Sequence, residues 1–149
     1  MRGIEGALKV LEDVERGMFA SESLRHVLRA IEPAERKLAS TMTYITLRRM
    51  GLWRHLLAKY CRRPISSLGH DTALSLIAGI AGVLELQHFK PGVLVNALVQ
   101  RAKGASGEAS REPGLINAVL HSVMESAPAY IEKLRKSPEL RDQALAYGV

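Results

Sequence analysis

The chain has 149 residues, 47% of them hydrophobic and 24% charged, with a net charge of +6 and one cysteine, Cys61. That length and apolar content suit one packed domain and exclude a disordered polyelectrolyte, and a lone cysteine excludes an internal disulfide. The opening MRGIEGALKV lacks a signal peptide's apolar core, and the longest apolar run, residues 73–86, is short for a bilayer and contains Glu85, so a soluble cytoplasmic protein is expected.

Apolar residues recur at helical spacing almost throughout, and no segment alternates as a strand would. An all-α bundle of about eight or nine helices follows, a single domain over 1–149. The first helix, residues 4–16, aligns Ile4, Ala7, Leu8, Leu11 and Val14 on one stripe and breaks at Gly17. Ser21 is the expected cap of a second helix carrying Leu24, Val27, Leu28 and Ile31. Pro33 opens a third, stopping at Gly51, with Leu38, Ala39, Met42, Tyr44, Ile45 and Leu47 as its apolar positions.

The fourth helix, 52–63, is closed by Pro64. Leu52, Leu56, Leu57 and Tyr60 fall on one face, and His55, Lys59, Arg62 and Arg63 on the other. Here the charge becomes informative. Residues 1–40 hold seven basic and seven acidic side chains, and residues 71–149 hold eight of each. The whole excess therefore lies in 41–70, as Arg48, Arg49, Arg54, Lys59, Arg62 and Arg63 with no acid among them; Arg36 and Lys37 extend the acid-free window backward. A field of that kind points to a polyanion, and RNA bound chiefly through its phosphates is the expected partner.

Asp71 is the expected cap of a fifth helix that is apolar nearly all round, the pattern of a central element. Gly79 and Gly82 lie inside it, where close approach of another helix would explain them; no strand precedes them, so they form no nucleotide loop. FKPG (89–92) turns into a sixth helix over 93–102, and residues 103–112 read as a loop. Pro113 opens a seventh helix ending near Ser126. Pro128 and Pro138 are expected to open two shorter ones, with Gly148 as a stop.

Catalytic chemistry finds no constellation. His26, His55, His70, His88 and His121 show no metal spacing with one another or with Cys61. Cys61 has cationic neighbours but no activating base. Trp53 and Tyr60 flank the basic helix and read as core anchors at least as readily as stacking platforms. A non-catalytic chain without metal or cofactor is expected.

Three segments resemble a known pattern in combination. LIAGIAGVLEL ends in Glu85 and Leu86; VNALVQRAK supplies Val95, Asn96, Val99, Ala102 and Lys103; GLINAVL supplies Leu115, Asn117, Ala118, Val119 and Leu120. Their order resembles the NusB-type helical domain, and more closely its version at the N-terminus of ribosomal RNA 5-methylcytosine methyltransferases of the RsmB (Sun/Fmu) type. Arg36, Leu38, Ala39, Tyr44, Leu47 and Arg48 match a further segment of that pattern. The arginine cluster of antitermination NusB proteins is reduced here to Arg2, which fits the methyltransferase version better.

The resemblance implies an RNA-binding domain, with ribosomal RNA as partner. A methyltransferase domain using S-adenosylmethionine would lie in cis or in trans, and residues 128–149 would begin the connection to it. The phosphate contacts fall on Arg36, Lys37, Arg48, Arg49, Arg54, Lys59, Arg62 and Arg63. Asn96 and Asn117 are the family motif; packing at the border of an apolar stripe is preferred for them over RNA contact. Two rival readings are an antitermination factor acting with a ribosomal protein, and an interaction or homodimerisation module with no RNA role.

Overall fold

A computed structural model of the chain describes residues 2–106 and 110–148, the side chain of Ser106 aside. The described residues form eight α-helices and no strand: α1 (Arg2–Glu15), α2 (Ala20–Arg29), α3 (Pro33–Arg48), α4 (Met50–Tyr60), α5 (His70–Glu85), α6 (Pro91–Ser106), α7 (Glu112–Lys136) and α8 (Leu140–Ala146). A 3-10 turn, Ile65–Ser67, lies between α4 and α5.

Helix α5 is the centre. Every residue from Leu74 to Val83 is buried, and α1, α3, α4, α6 and α7 all pack against it. Its all-round apolar composition is thus answered by neighbours on all sides. No helix among the described residues is long and apolar enough to cross a membrane.

The two glycines set how closely the neighbours approach. A Cβ on Gly79 would stand 2.9 Å from Leu98 of α6 and 3.1 Å from Leu120 of α7. One on Gly82 would stand 2.3 Å from Cδ2 of Leu94, which is itself fully buried. Gly82→Ala is therefore expected to lower stability by about 1 kcal/mol, overpacking of roughly 1–3 kcal/mol outweighing the roughly 1 kcal/mol gained in helix propensity. Thermal melting checks this, and a raised midpoint would mean that Leu94 has room to yield.

Helix α1 buries Ile4, Ala7, Leu8 and Leu11 against α2 and α3. The α1–α2 corner turns on Gly17, whose φ of 101° suits a residue without a Cβ. Asp13 braces the corner by accepting a 2.7 Å hydrogen bond from the Ser23 hydroxyl and pairing with Lys9 at 3.2 Å. The Ser23 bond, more than any other influence, holds the Asp13 carboxyl below the usual carboxylate range.

Several boundaries differ from expectation. Ser21 does not cap α2, which begins at Ala20 with Phe19 in the capping position. Asp71 does not cap α5 either, because Gly69 holds that place. The Asp71 carboxylate instead receives two hydrogen bonds from Arg101, at 2.6 and 2.9 Å. Those bonds keep its pKa below the ordinary value. Arg101 also meets Glu5 at 2.6 Å, so one guanidinium ties α1, α5 and α6 together.

Helix α6 takes in both Pro91, at its start, and residues 103–106, whose small and polar composition suggests a loop; 107–109 of that segment lie outside the described residues. The largest difference is at Pro128, which opens no new helix but sits within α7. Val123, Ala127, Ile131 and Leu134 continue one inward stripe through it. Their burial outweighs the roughly 3 kcal/mol that an interior proline costs. Pro138 lies in the α7–α8 connection, and α8 starts two residues later, its capping position taken by Glu139. Residues 128–149, expected to begin a connection, thus include the end of α7 and all of α8, which packs on α4 and α7.

Candidate nucleic-acid interface

The acid-free window of the sequence is not acid-free in space. Arg48 reaches Glu85 Oε2 at 3.2 Å, and Arg49 pairs with the other oxygen of the same carboxylate. Arg49 also donates to the carbonyl of Ala146 and lies over the Trp53 ring, 5.2 Å from its centroid. Arg63 meets Glu112 Oε1 at 3.2 Å and donates to the carbonyl of Ser67. Arg36 donates to the carbonyls of Leu28 and Ile31, closing the end of α2.

The eight cations therefore divide. Arg36, Arg49 and Arg63 hold elements together. Arg48 does both, since its side chain stays 66% exposed despite Glu85. Lys37, Arg54 and Arg62 are exposed and make no ion pair among the described residues. Lys59 is exposed as well, and its partners are aromatic.

Helix α4 explains the local arrangement. Its inner face is Leu52, Trp53, Leu56 and Leu57, all fully buried. Trp53 is a core anchor, its indole N–H donating to the carbonyl of Ile45 at 3.0 Å. The outer face is Gly51, Arg54, His55, Ala58 and Lys59.

The expected helical face of His55, Lys59, Arg62 and Arg63 is realised only in its first half. Helix α4 ends at Tyr60, and Cys61 is extended, at φ −92° and ψ 126°. Pro64 disfavours helical geometry just ahead of it and cannot continue the helix. Arg62 and Arg63 thus leave a non-helical segment, Arg62 exposed and Arg63 half-buried. Cys61 is buried there, 8% exposed.

Helix α7 completes the surface. Tyr130 donates to or accepts from His55 Nε2 at 2.6 Å, with the two rings stacked 5.7 Å apart and 14° from parallel. The Lys59 ammonium stands 4.3 Å from the Tyr130 centroid, within cation–π range. Beside them the Tyr60 hydroxyl is buried with no hydrogen-bond partner among the described residues, and burial pushes its pKa up. Tyr130 lies 75 residues from His55, so no local pattern in the sequence could have joined them.

Both asparagines of the family motif are exposed. The expected role of a packed, partnered amide does not apply to either. Asn96 instead lines a shallow hollow with Glu5, Gln100 and Arg101.

An all-helical bundle displaying a cationic and aromatic face is the class that this fold and this surface define. Residues 5–125 match the NusB family, and the chain belongs to it. No individual curated protein matches the sequence. The matched region includes α4, its cations and the first half of α7, and stops short of Tyr130 and α8.

Proposed function

We propose that this chain is a non-catalytic RNA-binding domain of, or derived from, a ribosomal RNA cytosine-C5 methyltransferase. The observation that carries the reading is the outer face of α4, where Arg54 and Lys59 stand exposed, Lys59 over the Tyr130 ring, with exposed Arg62 two residues beyond the helix end. NusB domains bind RNA and interact with partner proteins, which supports it. The methyltransferase derivation is supported by the order of the Glu85–Leu86, Asn96 and Asn117 motifs along α5, α6 and α7.

Contacts of this kind release counterions, so affinity must fall with salt. For three or four phosphate contacts, the logarithm of the binding constant should fall against that of salt with a slope of about −3. Titration of a ribosomal RNA fragment and an antitermination RNA, each across a salt series, tests both parts. A flat response removes the phosphate-binding face, and preference for the antitermination RNA removes the methyltransferase derivation.

A further inference from the structure

A second concave surface lies between α3 and the α5–α6 connection. One face of α3 lines it, with Lys37, Thr41, Ile45 and Arg48 at helical spacings of four, four and three. Leu86, His88 and Phe89 form the opposite wall. The cleft is open, measures about 590 Å³, and adjoins a second hollow of about 370 Å³ that shares the Arg48–Glu85 pair with it. Arg54, Lys59 and Arg62 border neither hollow, so this surface is separate from the outer face of α4.

Charge and spacing narrow the occupant. Lys37 is exposed without an ion pair among the described residues, and the side chain of Arg48 is 66% exposed. The one acid in the lining, Glu85, is already met by Arg48 and Arg49. The rim therefore offers positive charge at two places eleven residues apart on α3, about 16 Å at the helical rise. Between them lie apolar groups, Ile45 and half-buried Leu38 on α3 facing Leu86 and Phe89.

An extended peptide matches that layout. Its residues i, i+2 and i+4 share one side and span about 13 Å. An acid, an apolar side chain and a second acid at those places meet Lys37, the apolar strip and Arg48, whose long side chains cover the remaining distance. Thr41 and Gln87 add a hydroxyl and an amide able to hydrogen-bond a peptide backbone. His88 holds φ at 60°, a conformation that glycine adopts freely and other residues seldom do, so an imidazole is kept on the wall at a conformational cost. Nucleotides fit less well, because the Phe89 ring is half-buried against the core and is not displayed for a base. A small molecule would stay largely in water in so open a cleft, whereas such ligands usually bury most of their surface.

We propose that this groove docks an acidic segment of a partner protein, held extended, with the pattern acid-x-apolar-x-acid. The docking does not depend on the RNA reading. Where both hold, the chain joins an RNA on α4 to a protein on α3.

NMR titration of the isotope-labelled full chain with the capped peptide Glu-Thr-Leu-Thr-Glu tests this. Saturable shifts are expected at the amides of Lys37, Thr41, Arg48 and His88, and none at Arg54 or Lys59. Serine in place of the central leucine should weaken binding roughly tenfold, as expected for losing the burial of one leucine. Lys37→Glu, an exposed change that circular dichroism should show folded, should weaken it roughly fivefold. One of the two charge-swapped peptides, Lys-Thr-Leu-Thr-Glu or Glu-Thr-Leu-Thr-Lys, should then restore binding, which a folding defect would not allow. Silence at the groove overturns the proposal, as do shifts confined to α4, equal affinity for the leucine and serine peptides, or no recovery with either swapped peptide. A single-stranded oligouridylate that takes the same amides more tightly than the peptide also overturns it and gives the groove to RNA. The RNA titrations on α4 stand or fall by themselves.

Discussion

Arg49→Met is expected to lower folding stability by about 3 kcal/mol, the range for removing one partner of a buried ion pair. Arg49 is the joint between α3 and α4, at φ −128° and ψ 38°. Its side chain is 19% exposed, and that of its partner Glu85 is 16% exposed. Removal leaves the Glu85 carboxylate largely desolvated, with only the exposed Arg48 beside it. The Ala146 carbonyl loses its donor, and Trp53 loses the cation over its ring. Methionine keeps much of the aliphatic stem, so the loss reports charge and hydrogen bonding more than volume. Urea denaturation measures it. Arg49→Lys should recover only part, because an ammonium cannot reach the carboxylate, the carbonyl and the ring face with one planar fork. A loss below about 1 kcal/mol would reassign Arg49 to the ordinary surface cations.

The second large effect concerns binding. Replacing Arg54, Lys59 and Arg62 together by Glu should reduce affinity for RNA about a hundredfold or more near physiological salt, since three phosphate contacts are lost and three repulsions added. The fold should survive. All three side chains are exposed without ion pairs among the described residues, and glutamate suits a helix at positions 54 and 59. The Lys59 change also removes the cation over Tyr130 and places an acid in the last turn of α4, a cost of roughly 0.3–1 kcal/mol. Anisotropy at several salt concentrations, with a melting curve beside it, separates the two effects. If affinity changes by less than about threefold, the phosphates bind elsewhere.

Much of the helical order was legible because a 3.6-residue period and proline or glycine punctuation are local signals. The α5 sequence announced a central helix, and Gly79 and Gly82 announced close packing. The errors arose where local and tertiary preferences conflict. Pro128 is a strong local stop, overruled by the stripe from Val123 to Leu134 on either side of it. Pro64 acted earlier than expected and took Arg62 and Arg63 off the helical face of α4.

The candidate surface was half legible. Composition located the cations of residues 36–63, but charge balance along a chain does not give charge balance in space. Glu85 lies 36 residues beyond Arg49, and Glu112 lies 49 beyond Arg63. Both return to neutralise what seemed unopposed. Tyr130 joins the surface only through the packing of α7 against α4. The exposure of Asn96 and Asn117 shows the reverse limit: two similar motifs in apolar runs do not place their amides in the core.

The hydrogen bond from Arg49 to Ala146 also bears on the end of the chain. Helix α8 has seven residues, too few to remain helical alone in water. Its helicity is conditional on docking, and docking depends on a guanidinium supplied from 97 positions earlier. The last helix is therefore a dependent of the assembled body: loosening at the α3–α4 joint would be felt at residue 146 before anything between them unfolded.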